Sequence, residues 1–100
     1  MPRDRALATA DELADFLKQH PRWRIEGGQL TRTFELGTFL DAIGFVQRVA
    51  QVAEEQDHHP DIDIRWRKVT LRLITHDAGG LTWRDVAVAS ACDELGPGQP

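Results

Sequence analysis

The chain is organised around residues 54–85, EEQDHHPDIDIRWRKVTLRLITHDAGGLTWRD. Pro60 moves the residue before it out of helical geometry, so a helix that precedes this stretch ends close to the two adjacent histidines. After Pro60, apolar and polar residues alternate with period two, which predicts two consecutive strands. A pair of glycines ends the second strand, and Thr82 with Asp85 forms a capping box that opens a helix. The stretch therefore predicts helix, strand, strand and helix in that order.

The residues before this stretch predict a helix and a β-hairpin. An amphipathic helix is expected at about residues 10–19, after a capping box and before a proline. Apolar and polar residues then alternate on both sides of Gly27-Gly28, which predicts a hairpin with a tight turn. Arg32 is the one polar residue on the apolar face of that hairpin.

A longer central helix is expected after Thr38, its predicted N-cap. Its apolar stripe consists of Phe39, Ala42, Ile43, Val46, Val49, Ala50 and Ala53. Phe45 and Val52 fall outside the centre of this stripe and widen it. We therefore expect the helix to contact a second partner besides the core.

The complete order is α-β-β-α-β-β-α, which predicts an α+β fold. If both hairpins join one four-stranded antiparallel sheet, the helices pack on only one of its faces. A chain of 100 residues has room for one core, so we expect a single domain over residues 1–100. The tail from about residue 96, GPGQP, is predicted to be disordered.

Charge and cysteine content narrow the class of protein. Twelve Lys and Arg residues against sixteen Asp and Glu residues give a net charge of -4, without the basic footprint of a nucleic-acid-binding protein. The single cysteine, Cys92, has no partner for an internal disulfide. Because the sequence shows no apolar signal core and no long apolar run, we expect a cytoplasmic protein that contacts no membrane.

Three of the four histidines lie in the organising stretch, as His58, His59 and His76. Histidine gains or loses a proton near neutrality because its ordinary pKa is about 6.5. Two alternatives stay open: the adjacent pair can be solvent-exposed loop residues, or the three can be zinc ligands. The short-range spacings typical of zinc sites are absent from the sequence, which favours proton transfer without a metal.

The spacing of seven residues in this stretch resembles the signature of the pterin-4a-carbinolamine dehydratases. The seven positions are Glu54, His58, His59, Pro60, Trp66, His76 and Asp85. The match continues through THDAGGLT and, more loosely, over most of the chain. The resemblance implies a four-stranded antiparallel sheet with helices on one side, a dimer or tetramer of identical chains, and no metal, nucleotide or redox cofactor.

The resemblance also implies a reaction and the residues that perform it. Members dehydrate a 4a-hydroxytetrahydropterin to a quinonoid dihydropterin, which recycles the pterin of aromatic amino-acid hydroxylases. One group must protonate the departing hydroxyl while another accepts the N5 proton, and imidazoles suit both roles. By resemblance His58, His59 and His76 are the catalytic residues. We assign His58 to the N5 side and the other two as acids towards the hydroxyl.

Five further positions match substrate-binding residues of the family: Glu54, Asp57, Trp23, Thr75 and Asp77. Glu54 lies four residues before His58, where its carboxylate can pair with the imidazole or stay solvated at the helix end. Trp23 can stack on the pterin or belong to the core, since it shares parity with Ile25.

Other terms of the signature have structural interpretations. Asp85 is explained by its capping box, and Trp66 is interpreted as core or interface. The sequence departs from its relatives at Ile74, commonly a small hydroxyl residue, and at Arg67, frequently asparagine. The first departure removes one expected contact to the pterin ring.

A second function class also fits the resemblance, because some animal members stabilise dimers of a transcription factor. Such a module, or a pterin-binding protein of another pathway, needs no complete set of three histidines. Since all three are present here, the sequence favours an enzyme.

Overall fold

A computed structural model of the protein describes residues 6–96 and contains three α-helices and four β-strands in that range. The elements are α1 (Ala10–Gln19), β1 (Arg24–Glu26), β2 (Gln29–Glu35), α2 (Phe39–Gln56), β3 (Asp61–Arg65), β4 (Lys68–Leu73) and α3 (Trp83–Leu95), with a short 3-10 turn at His76–Ala78. The predicted order and fold class are confirmed. The predicted disorder of the tail concerns residues 97–100, which lie outside the described residues.

The four strands form one antiparallel sheet in the order β1-β2-β4-β3. Gly27 and Gly28 both have positive φ, 56° and 77°, which the tight turn between β1 and β2 requires. In the register of β2 and β4, Leu30 lies opposite Leu73 and Phe34 opposite Val69. Alternation along both strands therefore places these apolar side chains on one face of the sheet.

The core lies between that face and the helices. Strand residues Leu30, Phe34, Val69, Leu71 and Leu73 are buried together with Ala42, Phe45 and Val49 of α2 and Val88, Ala89 and Cys92 of α3. Burial of a side chain of leucine or phenylalanine size contributes about 1.5–3 kcal/mol, so this layer dominates the stability of the fold. Within residues 6–96, no helix is long and apolar enough to cross a membrane.

The face of α2 that meets the core differs from the predicted stripe. Phe45 is fully buried and its ring lies 4.7 Å from that of Phe34, although it was placed outside the centre of the stripe. Phe39 and Ala50, which were placed inside it, are exposed. The buried face of α2 therefore combines Phe45 with Ala42, Val49 and Ala53 of the predicted stripe.

Trp66 is not a core residue. Its side chain is 67% exposed in the turn between β3 and β4, where its φ is 57°. The core interpretation of this tryptophan is therefore wrong. Its neighbours in phase, Ile62 and Ile64, are also partly exposed, because β3 is an edge strand.

Candidate active site

The C-terminus of α2 fixes the backbone position of His58. Asp57 adopts a left-handed conformation with φ 51°, which ends the helix. The N–H of Asp57 then donates to the carbonyl of Glu54 at 3.3 Å, and the N–H of His58 donates to that of Ala53 at 3.1 Å. This hydrogen-bond pattern is the Schellman motif, in which aspartate is one of the few non-glycine residues tolerated at the left-handed position. His58 is therefore tied to the last turn of α2 and turned towards α3.

Asp85, in the first turn of α3, receives His58. Its carboxylate is fully buried, and Oδ1 lies 2.6 Å from Nε2 of His58. Oδ2 accepts from the backbone N–H of Thr82 at 2.9 Å and from the hydroxyl of Thr75 at 2.8 Å. Because a carboxylate only accepts, His58 must carry a proton on Nε2. Its Nδ1 is left as the ring atom that can exchange a proton with a ligand.

His59 pairs with Glu54 rather than with the buried carboxylate. Its Nε2 lies 2.6 Å from Oε2 of Glu54, and both side chains are exposed to solvent. Of the two alternatives for Glu54, the pair with His58 is not formed, and the carboxylate instead lies exposed at the helix end beside His59. The two adjacent histidines therefore have different partners: His59 meets the last turn of α2, whereas His58 meets α3 in the interior.

His76 is held by a closed loop beyond β4. The N–H of Thr75 donates to the carbonyl of Gly80 at 3.0 Å, and the N–H of Gly80 donates back at 3.3 Å. Gly79 has φ 74°, a conformation that favours glycine. His76 is exposed, which confirms that it lies off the core. The strand itself ends earlier, at Leu73, so His76 belongs to the 3-10 turn.

One carboxylate thus brings the three histidines into one region. His58 binds one oxygen of Asp85 and Thr75 binds the other. In the sequence, His59 directly follows His58, and His76 directly follows Thr75. In residues 6–96 no three His, Cys, Asp or Glu side chains are grouped so as to hold a metal ion. The two segments carry one oriented, largely buried imidazole, that of His58, and two solvent-exposed imidazoles, those of His59 and His76, all of which can transfer protons near neutral pH.

Trp23 lies in the core, away from this region. It is 3% exposed, and its indole N–H donates to Oδ1 of Asp93 at 2.6 Å. Asp93 is eight positions beyond Asp85, about 12 Å along α3. The core interpretation therefore describes the position of Trp23 in this structure, and its stacking on a pterin stays a prediction.

The other predicted substrate-binding residues divide into two kinds. Glu54, Asp57 and Asp77 are exposed beside the histidines. Thr75 is 1% exposed, and its hydroxyl proton is donated to Asp85, so its side chain has no surface to offer a ligand.

Sequence reasoning missed the part that Asp85 plays towards His58. The capping box is present, but it uses only Oδ2 of the carboxylate and leaves Oδ1 for the histidine. The available signal was the fixed position of Asp85 in the histidine signature. A residue that only caps α3 would not need a fixed spacing from His58, which lies 27 positions earlier in the sequence.

Of the two departures from the relatives, only Ile74 adjoins this region. Arg67 lies before β4, whereas Thr75 follows it, which separates the two by roughly 25 Å of extended chain. The guanidinium of Arg67 binds the carbonyl of Leu36 at 2.9 Å and the carboxylate of Glu35 at 2.8 Å. Its role is to link the β3–β4 turn to the end of β2.

The sequence is similar to several bacterial proteins. A protein of Chloroflexus aurantiacus is 54% identical over 84 residues, which cover 84% of this chain and 90% of the relative. A protein of Roseiflexus castenholzii is 50% identical over 90 residues, covering 90% and 97%. Both carry names that make them candidate pterin-4-alpha-carbinolamine dehydratases.

The fold is similar to two solved structures. One is the crystal structure of a transcriptional coactivator/pterin dehydratase from Brucella melitensis, with a TM-score of 0.85 and 28% identity over 91% of this chain and 99% of the other. The second is a pterin dehydratase-like protein identified as a RuBisCO assembly factor in the alpha-carboxysome, with a TM-score of 0.64 and 25% identity over 77% and 92%.

The family model described as Pterin 4 alpha carbinolamine dehydratase matches residues 6–95, nearly the whole described chain. Relatives that are identical at about half of the aligned residues match 84% and 90% of the chain. The chain therefore belongs to the pterin-4a-carbinolamine dehydratase family.

Proposed function

We propose that this protein is a dehydratase that removes water from 4a-hydroxytetrahydropterins. The observation that carries the proposal is the buried pair of Asp85 and His58, 2.6 Å apart, in segments that also carry the exposed His59 and His76. Asp85 accepts its other hydrogen bonds from neutral groups, so its charge acts on the imidazole of His58, as a general base requires.

In the proposed reaction, Nδ1 of His58 accepts the proton from N5 of the pterin. The electron pair released there forms the N5–C4a double bond as the C4a–O bond breaks. His59 or His76 protonates the departing hydroxyl, so the products are water and the quinonoid dihydropterin. Each proton transfer of this kind contributes typically about 10²- to 10⁴-fold to the rate. Solvent then returns one proton to the acid and removes one from the base.

Asp85 remains a carboxylate throughout the cycle. It holds the ring of His58 in one orientation and stabilises the imidazolium that forms when Nδ1 takes the proton. Glu54 acts in the same way on His59, at the solvent-exposed edge of the site. Because solvent screens exposed pairs, this second pair orients its histidine less strictly.

Three exposed carboxylates are proposed to hold the substrate. A pterin presents amino and ring N–H groups along one edge, and carboxylates accept hydrogen bonds from such donors. Asp57 and Asp77 flank the histidines along the chain, and Glu54 precedes them on α2. The proposed biological role is to recycle the pterin cofactor of aromatic amino-acid hydroxylases, in the cytoplasm and without a metal or other cofactor.

We also propose that the protein is a homo-oligomer, a dimer or tetramer. Eight large apolar side chains are exposed within residues 6–96, and five of them lie at the start of α2 and along the edge strand β3 with its turn: Phe39, Leu40, Ile62, Ile64 and Trp66. Leu40 is 77% exposed next to the exposed Phe39, and groups of exposed apolar side chains are typical of an interface. Light scattering at micromolar concentration that gave the mass of one chain would contradict this.

The decisive experiment is a dehydration assay with synthetic 4a-hydroxytetrahydropterin. We expect purified protein to accelerate dehydration well beyond the spontaneous rate, and to do so equally after treatment with a chelator. A rate equal to the spontaneous one would overturn the proposal, and activity lost to chelation and restored by zinc would overturn its metal-free form.

A second candidate is a non-catalytic module that binds a pterin or a partner protein. The descriptions of the two solved structures favour keeping it, since they include a transcriptional coactivator and a RuBisCO assembly factor. The same assay separates the two functions. Pterin binding or oligomerisation without acceleration of the dehydration would favour the module.

A further inference from the structure

Two buried hydroxyls extend the pair of Asp85 and His58 into a chain. The hydroxyl oxygens of Thr75 and Thr82 lie 2.8 Å apart, and both residues are almost fully buried, at 1% and 0% exposed. Thr75 closes the loop that carries His76, whereas Thr82 is the N-cap of α3. The chain therefore joins three elements at one carboxylate: the end of α2, the loop after β4 and the start of α3.

Counting protons gives each hydrogen bond of this chain a direction. Each hydroxyl has one proton to donate. Thr75 donates its proton to Oδ2 of Asp85, so the contact between the two hydroxyls must be a donation from Thr82 to Thr75. Asp85 then receives the backbone N–H of Thr82 on Oδ2 and Nε2–H of His58 on Oδ1. Every proton points towards the carboxylate.

We propose that Thr75 is a positioning residue that acts on His58 through Asp85. Its hydroxyl holds the carboxylate in the rotation that presents Oδ1 to Nε2 of His58. The same hydrogen bond, from Thr75 to Asp85, links the loop that carries His76 to His58, the proposed base. This inference rests on the proposed function for its effect on the rate, but not for its effect on the histidine ring.

The capping of α3 does not account for Thr75. The capping box of α1, Thr9 with Glu12, is complete without a third hydroxyl. The box of Thr82 and Asp85 has the same two reciprocal bonds, and Thr75 adds a bond to the carboxylate of that box. Contact of its side chain with substrate is also unavailable, because the hydroxyl is buried and its proton is committed. Orientation of Asp85 is the role that remains.

The test compares Thr75→Val, which removes the hydroxyl at nearly the same volume, with Thr75→Ser, which keeps it. The first measurement is ¹⁵N NMR of the His58 ring above its titration range. We expect a single tautomer protonated at Nε2 in the wild type and in Thr75→Ser, and a mixture of tautomers in Thr75→Val. The second measurement is the dehydration rate, for which we expect kcat to fall about 10- to 100-fold in Thr75→Val and to recover in Thr75→Ser.

Thr9→Ala is the matched control, because it breaks the capping box of α1 without touching the site. We expect it to keep the wild-type tautomer and kcat. The proposal is overturned if Thr75→Val keeps a single Nε2 tautomer, if Thr75→Ser fails to restore it, or if Thr9→Ala changes it equally. A wild type with no dehydratase activity would refute the proposed function, while the tautomer measurement would still decide the role of Thr75.

A measurement on the wild type makes the test independent of how well Thr75→Val folds. A buried hydroxyl that donates to a carboxylate exchanges slowly with solvent, so the proton of Thr75 should give an observable resonance coupled through space to Asp85. A fast-exchanging Thr75 hydroxyl would contradict the proposed chain of hydrogen bonds.

Discussion

Helix α3 carries a carboxylate near each end, one fully buried and one partly buried, and each lies 2.6 Å from a histidine nitrogen. Asp85 meets Nε2 of His58, and Asp93 meets Nδ1 of His20. The distance is the same in the two pairs, but the pair of Asp85 and His58 is the more deeply buried: Asp85 is fully buried, whereas Asp93 is 14% exposed. Their other partners differ.

Asp93 belongs to a cluster that holds the core together. Besides His20, it accepts from the guanidinium of Arg32 at 2.5 Å and from the indole of Trp23 at 2.6 Å. The guanidinium is permanently charged, so the carboxylate is committed to an ion pair between α3 and β2. Burial, with the charge of Asp93 adding to it, raises the pKa of neighbouring Cys92 to about 12, which keeps that thiol unreactive.

Asp85 accepts instead from the neutral donors Thr75 and Thr82, which orient it without neutralising it. Its charge therefore acts on His58. The exposed His59 and His76 lie beside this pair along the chain. The comparison teaches that a histidine–carboxylate pair suits catalysis when its carboxylate has no other cation to serve and its histidine adjoins further proton carriers.

The largest contrast is expected from replacing the first carboxylate. In Asp85→Asn, the amide can donate to His58 and favour the wrong tautomer, so we expect kcat to fall by about 10²- to 10⁴-fold. Steady-state kinetics on the folded variant measures this. Turnover within about threefold of the wild type would remove Asp85 from the mechanism.

The mirror-image change at the other end should damage folding rather than turnover. Asp93→Asn leaves the buried guanidinium of Arg32 without its counter-charge, which we expect to cost about 3–5 kcal/mol of unfolding free energy. Urea denaturation measures the loss. In the fraction that remains folded, kcat should equal that of the wild type; a lowered kcat would mean that both carboxylates serve the reaction.

His76→Ala should separate rate from stability for an exposed histidine. We expect kcat to fall by about 10²- to 10⁴-fold because a general acid is lost. The fall should be near the lower limit if His59 can protonate the hydroxyl in its place. The unfolding free energy should change by no more than about 0.5 kcal/mol, because the side chain is exposed.

His20→Ala is the matched control for that variant. The ring of His20 stacks on Phe16 at 4.7 Å and binds Asp93, so this change should lower stability and leave kcat alone. A loss of stability without a loss of kcat in His76→Ala, or a loss of kcat in His20→Ala, would contradict the roles assigned to these two histidines.

The smallest effect is expected at the end of α2. Asp57→Gly keeps the left-handed conformation that positions His58, so the unfolding free energy should stay the same or rise by up to about 1 kcal/mol. If the carboxylate binds the pterin, KM rises severalfold while kcat stays close to the wild-type value. Asp57→Asn should raise KM in the same way, and an unchanged KM in both variants would exclude Asp57 from substrate binding.

Local signals in the sequence predicted the elements well. The two capping boxes and the glycine turn involve only residues that are close together in the sequence: Thr9 with Glu12, Thr82 with Asp85, and Gly27 with Gly28. Their formation therefore depends little on the rest of the fold. The α1 helix accordingly begins and ends where the pattern placed it, and the order of all seven regular elements is confirmed.

Choices between equivalent partners could not be predicted. Glu54 is compatible by spacing with His58, yet the partner of His58 comes from 27 residues away on another helix. Similarly, α2 is apolar on more than one flank, and only packing against Phe34 selects Phe45 for the core. The partner of His58 and the buried face of α2 both depend on tertiary contacts, which cannot be predicted from a local sequence pattern.

The most direct test of the central claim, that His58 is a base oriented by Asp85, is chemical rescue of His58→Gly. This change opens a space beside the buried carboxylate that free imidazole can enter. We predict that the variant loses dehydratase activity and that added imidazole restores it in a saturable manner, whereas Asp85→Asn combined with His58→Gly is rescued far less. Full turnover by His58→Gly without imidazole, or equal rescue with and without the Asp85 carboxylate, would contradict the account.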